Sequence, residues 1–256
     1  MKDIKVTLVQ LDLKWEDPEA NCTSIVRNLE GKETDLIILP EMFNTAFTMD
    51  AENNAEKLSG NTMQWMQKVA KEKHSAITGS IIIESEGSYY NRLLFCYPDG
   101  DFRHYDKRHL FRLANEHQVF EAGKEKIIVN YLGWRINLNV CYDLRFPAWS
   151  RNVNDYDILI NVASWPNARI EHWKTLLKAR AIENLAYCIG VNRVGSDQNN
   201  FEYSGCSSIY GPEGKCLMEL ANAELTETAT LSKNHLFDYR AKFPFYMDQD
   251  KFTISG

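Results

Sequence analysis

The sequence lacks the features that would place it at a membrane or on nucleic acid. No apolar run approaches the roughly 18 residues of a membrane-spanning helix, and residues 1–10 follow a strand-like pattern without a signal-peptide layout. Basic residues form no run longer than Lys107-Arg108, and 29 Lys and Arg against 35 Asp and Glu give a net charge of -6. We therefore expect no nucleic-acid partner, no membrane partner and a cytoplasmic location.

The cysteines show neither a disulfide framework nor a zinc-binding pattern. No pair forms a CxxC, and a chain of 256 residues can bury a sufficient core without crosslinks. We therefore expect free thiols and no metal site. The six residues are Cys22, Cys96, Cys141, Cys188, Cys206 and Cys216.

Several common catalytic motifs are also missing. The sequence contains no Walker loop, no G-x-G-x-x-G, no H-E-x-x-H and no G-x-S-x-G serine elbow. Phosphate-loop, dinucleotide, zinc-protease and serine-hydrolase chemistries therefore lack their usual sequence signals.

The chain instead contains a regular alternation of strand and helix patterns. Apolar, β-branched runs predict strands over 4–10, 35–40, 76–83, 92–97, 134–140, 157–163 and 187–192. Apolar residues at threes and fours predict helices over 18–29, 61–73, 146–153 and 170–186. Turn residues at 98–100 and 211–214 predict two hairpins. This order indicates the α/β class with a mixed sheet, and no linker interrupts a single domain over 1–256.

Three reactive side chains occupy comparable places in this pattern. Glu41 follows the strand predicted over 35–40, Lys107 follows a short strand, and Cys141 follows the strand predicted over 134–140. Ligands of open α/β sheets collect at the carboxyl ends of strands, so all three side chains could meet at one mouth. A thiol on a tight strand-to-helix turn can act as a nucleophile, and a partly desolvated carboxylate can act as its base.

Each of these residues also has a structural interpretation. Cys141 can be a small buried hydrophobe, Glu41 a solvated or helix-capping carboxylate, and Lys107 a surface ammonium. A Cys-His pair that uses His172 is a competing catalytic arrangement. Two further alternatives are a redox sensor built on Cys141, which needs neither Glu41 nor Lys107, and a catalytically silent scaffold.

Three segments around these residues resemble the Glu, Lys and Cys motifs of the nitrilase superfamily of carbon-nitrogen hydrolases. They are 39–43 (LPEMF), 105–111 (YDKRHLF) and 140–147 (VCYDLRFP), which occur in the order of that family. Segments 161–166 (NVASWP), 179–184 (ARAIEN) and 191–195 (VNRVG) are similar to its omega-amidase branch. The resemblance implies an αββα four-layer sandwich, a homodimer or higher homo-oligomer, and neither metal nor organic cofactor.

The resemblance also implies a role for each motif residue. Glu41 would be the proton acceptor and donor, and Cys141 would form a thioester intermediate. Lys107 and the backbone N–H of Tyr142 would hold the oxyanion. Glu116 matches the place of a second glutamate that tunes the first in many members, and a capping or surface role for Glu116 is equally open.

The implied substrate is a small 2-oxo dicarboxylic acid monoamide, such as 2-oxoglutaramate or 2-oxosuccinamate. Its carboxylate lies far from the amide, so a cation is expected across the pocket, and Arg169 and Arg145 are the candidates. A structural ion pair or a subunit contact is the alternative for Arg145. Phe47 and Trp165 are expected to line the pocket, with core packing as their alternative. Nitriles, N-carbamoyl compounds and other small amides are the alternative substrates.

Overall fold

Two six-stranded mixed sheets dominate the computed structural model, which describes residues 2–153 and 155–254. Positions 1, 154, 255 and 256 of the predicted domain lie outside the described residues. The first sheet has the order β14 (Leu225–Leu231), β1 (Ile4–Gln10), β2 (Leu36–Ile38), β3 (Ala76–Ser85), β4 (Ser88–Cys96) and β5 (Phe102–Asp106). The second has the order β13 (Cys216–Glu219), β12 (Ser208–Tyr210), β9 (Tyr187–Asn192), β8 (Ile158–Ala163), β7 (Trp134–Val140) and β6 (Ile128–Tyr131).

The two sheets repeat one arrangement of strand directions. In the first, β1, β2 and β3 run parallel, and the outer strands pair antiparallel. In the second, β7, β8 and β9 run parallel between antiparallel neighbours. A short hairpin of β10 (Val194–Ser196) and β11 (Glu202–Ser204) pairs separately. Each sheet therefore presents an edge at which the carboxyl ends of parallel strands meet.

Helices cover the outer face of each sheet. The α-helices are α1 (Pro18–Asn28), α2 (Ala51–Asn54), α3 (Asn61–Lys73), α4 (Glu116–Val119), α5 (Pro147–Ser150), α6 (Ile170–Asn184) and α7 (Lys233–Lys242). Helices α1 and α3 pack on the first sheet, and α6 packs on the second through Trp173 and Leu177. The inner faces form one core, where Val6 and Leu8 lie with Ile136 and Leu138. This four-layer αββα arrangement confirms the predicted fold class.

Several predicted elements have the predicted bounds. Strands β1, β7 and β9 and helix α3 begin and end where their patterns do. Both predicted hairpins form, as β4 with β5 and as β12 with β13. Strands β6, β10, β11 and β14 had not been predicted. β14 has the Thr-rich sequence LTETATL, whose apolar content is too low for a buried-strand pattern.

The helix predicted over 146–153 is wrong. The chain forms a 3₁₀ turn over Cys141–Arg145, breaks at Phe146, and then makes only the single turn α5. Phe146 adopts φ -112° and ψ 89°. The residue before a proline is restricted away from the helical region, so Pro147 separates the two turns.

All six cysteines are free thiols, as expected. No helix in the described part of the chain is both long and apolar enough to cross a membrane. Within residues 2–153 and 155–254, no group of three or more His, Cys, Asp and Glu side chains is arranged to hold a metal ion.

Candidate active site

Glu41 lies beyond the carboxyl end of β2, with no exposed surface. Its Oε1 accepts a hydrogen bond from Asn91 Nδ2 at 2.9 Å, and its Oε2 accepts one from the backbone N–H of Ser164 at 2.8 Å. Ser164 directly follows β8 in the second sheet. The carboxylate is therefore held between strand ends of both sheets, and each oxygen has a fixed donor.

Lys107 follows β5 and extends into the same buried space. Its Nζ donates to Glu41 Oε1 at 2.8 Å and to both oxygens of Glu116 at 2.9 Å. The aromatic ring of Phe47 lies 5.4 Å from this nitrogen. Burial by itself lowers the pKa of Lys107, but the charges of Glu116 and Glu41 outweigh it and raise the pKa above its usual value. The side chain is consequently a fixed ammonium.

Glu116 is the first residue of α4 and is also fully buried. Besides Lys107, it accepts hydrogen bonds from the Phe111 N–H and from Asn91 Nδ2. Burial raises the pKa of Glu116, Lys107 opposes this rise, and Glu41 adds to it. Two carboxylates and one ammonium, all inaccessible to solvent, thus form a cluster with an excess negative charge.

Cys141 occupies a strained backbone turn beside this cluster. Its φ is 44°, in the left-handed region that residues other than glycine seldom adopt, and the turn follows β7 directly. Burial raises the pKa of the thiol, and Glu41 raises it further through its charge and a hydrogen bond, while Lys107 lowers it. The resting thiol therefore keeps its proton and requires a base for activation.

Of these groups, Cys141 lines a cavity of about 690 Å³. Cys141 and Tyr142 form part of its wall, together with all four residues predicted to bind substrate. Those four are Phe47, Trp165, Arg169 and Arg145. The wall of the cavity therefore offers aromatic surface and two guanidinium groups to a ligand attached at the thiol.

The two arginines have different surroundings in this cavity. Arg145 lies 4.8 Å over the Trp165 ring and its Nη2 is 3.1 Å from His172 Nδ1. Arg169 lies 5.3 Å over the Phe111 ring. Among the described residues, neither guanidinium has a carboxylate within ion-pairing distance. His172 contacts Arg145 and is exposed, so the structure does not place it as the base of a Cys-His pair.

Sequence reasoning missed two residues that hold the cluster. Asn91 bridges Glu41 and Glu116 from the middle of β4, where only its burial in an apolar strand distinguishes it. Ser164 follows a strand at its carboxyl end, and the rule that found Glu41 and Cys141 could have found it too. Arg180 and Glu183 form an ion pair along α6, at 2.9 Å.

The fold and this site together define a class: an αββα-sandwich hydrolase in which a cavity-lining cysteine lies beside a buried ammonium and two buried carboxylates. Residues 5–241 match the family model described as carbon-nitrogen hydrolase, and the chain belongs to that family.

Three known proteins are similar to the chain over nearly its whole length. Omega-amidase YafV of Escherichia coli (strain K12) is 44% identical, with 99% of this chain and 100% of the relative covered. The 2-oxoglutaramate amidase of Bacillus subtilis (strain 168) is 30% identical, with 95% and 96% covered. The crystal structure of XC1258 from Xanthomonas campestris, a CN-hydrolase superfamily protein with an arsenic adduct in its active site, is 42% identical and covers 100% of both chains at a TM-score of 0.96.

Proposed function

We propose that the protein is an omega-amidase that hydrolyses the terminal amide of small 2-oxo dicarboxylic acid monoamides to the dicarboxylate and ammonia. 2-Oxoglutaramate is the first candidate substrate. The observation that carries the proposal is the Cys141 thiol beside the buried Glu41–Lys107 pair, in a cavity lined by two arginines that have no carboxylate partner in the described part of the chain. The names of the E. coli and B. subtilis relatives support the same activity.

The first half-reaction forms a thioester. Glu41 takes the proton of Cys141, and the thiolate sulfur bonds to the amide carbon while the carbonyl π electrons move to oxygen. Lys107 Nζ and the Tyr142 N–H stabilise this oxyanion. An N–H in the first turn of a helix has no partner within the helix, so that of Tyr142 is available. When the oxyanion collapses, the C–N bond breaks and Glu41 returns the proton to nitrogen, which releases ammonia.

The second half-reaction consumes one water. Glu41 removes a proton from the water, whose oxygen bonds to the thioester carbon. The new oxyanion is held by the same donors, and its collapse breaks the C–S bond. The proton on Glu41 then returns to the Cys141 sulfur, and the carboxylic acid leaves. Glu116 stays out of these transfers and, with Asn91, keeps Lys107 and Glu41 in place.

Substrate recognition depends on a cation across the cavity from the thiol. We assign the substrate carboxylate to Arg169, because its guanidinium lies over the Phe111 ring and has no hydrogen-bond or ion-pair partner within residues 2–153 and 155–254, so it retains its N–H donors. Arg145 is already oriented by His172 and Trp165, and it contributes positive charge to the same cavity. Phe47 and Trp165 enclose the carbon chain between thiol and carboxylate.

Ammonia release from 2-oxoglutaramate tests the proposal. The wild-type protein should hydrolyse 2-oxoglutaramate and 2-oxosuccinamate with much higher kcat/KM than a neutral amide of equal length, and C141A should show no activity. Efficient turnover of nitriles or N-carbamoyl compounds with none of 2-oxoglutaramate would contradict the omega-amidase assignment and leave the family membership intact.

Residues 1–256 act as one catalytic domain, which is supported by the donation of site residues from both sheets. The protein assembles as a homodimer, which is supported by exposed apolar side chains near the C-terminus, among them Phe245 and Met247. Light scattering at micromolar concentration should give twice the chain mass. The cytoplasmic location stays a prediction.

A further inference from the structure

Asp143 is a buried carboxylate that the proposed mechanism does not use. It has no exposed surface and accepts four hydrogen bonds. Its Oδ2 accepts from the Val140 N–H at 3.0 Å and from the Tyr105 hydroxyl at 2.8 Å. Its Oδ1 accepts from the backbone N–H of His109 at 2.9 Å and from His109 Nδ1 at 2.8 Å. Such a carboxylate is fully satisfied, so its partners are held in fixed positions.

These partners flank two residues of the proposed reaction. Tyr105 and His109 lie on either side of Lys107, each two positions away, and both bond to the same carboxylate. Val140 and Asp143 itself lie on either side of Cys141. One side chain therefore ties the segment that carries the ammonium to the segment that carries the thiol.

The strain at Cys141 makes this connection necessary. A residue other than glycine at φ 44° is in an unfavourable backbone conformation, and such a conformation persists only where its surroundings impose it. The hydrogen bond from the Val140 N–H closes the turn from one side, and the link to β5 through Tyr105 anchors it from the other.

A second layer of contacts immobilises the two donors. The Tyr105 hydroxyl accepts hydrogen bonds from Trp149 Nε1 at 2.9 Å and from the Arg108 N–H at 3.2 Å. The His109 ring stacks on Phe146, with centroids 3.8 Å apart and planes at 7°. Asp143 thus belongs to a hydrogen-bonded network around the Cys141 turn, and it is not among the residues that line the cavity.

We propose that Asp143 is a positioning residue, which sets the distance between Lys107 and Cys141 by bonding Tyr105, His109 and Val140 at once. The inference rests on the proposed function, because it assigns the oxyanion to Lys107 and the nucleophile to Cys141. An error in that distance acts on the transition state and leaves substrate binding at the arginines unchanged. A displacement of about 1 Å at a reacting group costs roughly 100-fold in rate.

The test compares D143N and Y105F with D157N. D143N keeps the side-chain size but turns an amide donor toward existing donors, and Y105F removes one hydroxyl. Asp157 is a matched control, because it is a buried carboxylate held by Arg135, Lys233 and Arg240, away from the site. We measure kcat and KM on 2-oxoglutaramate, the melting temperature, and the rate of Cys141 alkylation by iodoacetamide between pH 6 and 10.

We expect D143N to lower kcat about 100-fold and Y105F about tenfold, both with KM within about twofold of the wild type. The pH dependence of the Cys141 alkylation rate should shift to higher pH in both variants. Lys107 lowers the pKa of the thiol, and a displaced Lys107 would lower that pKa by a smaller amount. D157N should lose stability and keep its kcat and its alkylation profile. If D143N does not fold, the kcat and the alkylation profile of Y105F test the inference by themselves.

Two outcomes overturn the inference. One is a folded D143N or Y105F with wild-type kcat and an unshifted alkylation profile. The other is a fall in kcat in D157N as large as in D143N, since stability would then explain both. If the wild-type protein fails to hydrolyse 2-oxoglutaramate, the proposed function is wrong, and the alkylation profile still tests whether Asp143 positions Lys107 beside Cys141.

Discussion

Replacement of Lys107 by methionine separates its chemical role from its structural one. The side chain is fully buried and forms its ion pairs with two carboxylates that are equally inaccessible. Methionine keeps the unbranched chain and removes only the charge and the hydrogen-bond donors. The variant therefore loses one proposed oxyanion donor and leaves Glu41 and Glu116 without a cation.

The structure sets the size of both effects. Loss of one oxyanion donor costs about 3 to 4 kcal/mol in the barrier, which corresponds to roughly 100- to 1,000-fold in kcat. Removal of one partner from a buried ion pair costs about 3 to 5 kcal/mol of folding free energy, because the remaining charge stays desolvated. Since burial already raises the pKa of Glu116, we expect this loss of stability to shrink as the pH falls and Glu116 takes up a proton.

The double variant K107M/E116Q distinguishes the two effects. Counting ionised groups, the wild-type cluster carries one excess negative charge, K107M carries two, and the double variant carries one again. Urea unfolding should therefore show part of the lost stability restored, while steady-state assays on 2-oxoglutaramate should show kcat still depressed at least 100-fold. Recovery of kcat together with stability would refute the assignment of Lys107 to the oxyanion.

The remaining predictions concern the nucleophile, the carboxylate site and acid stability. C141A should abolish ammonia release, whereas C188A, in the packed face under α6, should lower the melting temperature and keep kcat; the reverse pattern would place the nucleophile elsewhere. R169Q should raise KM for 2-oxoglutaramate roughly tenfold or more, with a smaller effect on a neutral amide, and an equal effect on both amides would contradict the carboxylate assignment. Hydrogen bonds and charges from Arg135 and Lys233 outweigh the burial of Asp157 and lower its pKa from 3.8 to about 2. A lowered folded-state pKa gives stability that is present above pH 4 and lost as the pH falls toward 2, at most about 2.5 kcal/mol. The difference in unfolding free energy between wild type and D157N should accordingly become smaller as the pH falls from 4 to 2. A difference that stays constant would show that the charge of Asp157 does not contribute to stability.

The strands that the sequence predicts best are those buried on both faces. β9 is apolar up to its last residue, and β1 and β7 alternate apolar with polar residues over most of their length; both patterns are typical of strands. The apolar pattern does not predict β14, because this strand pairs only with β1 at the edge of the sheet, where polar threonines are tolerated. Helical spacing of apolar residues predicts a longer helix after Cys141, but Pro147 restricts the backbone of Phe146 and interrupts it there.

The site was predictable where chain position alone decides the outcome. Glu41 and Cys141 follow strands, and carboxyl ends of parallel strands meet at one edge of a sheet. Asn91 and Asp143 were not predictable in this way. Asn91 lies within a strand, and Asp143 lies in a turn whose direction depends on three separate segments.

The sequence by itself determined the alternation of buried strands and amphipathic helices, the order of the three motif residues and the absence of a zinc or phosphate-loop pattern. The tertiary structure alone decided which polar groups meet. Glu41 contacts Lys107 across 66 positions and Ser164 across 123, and the pKa of the Cys141 thiol depends on these neighbours. Hydrogen bonds and desolvation depend on distances in space, and a linear pattern of residues contains no such distances until two sheets pack face to face.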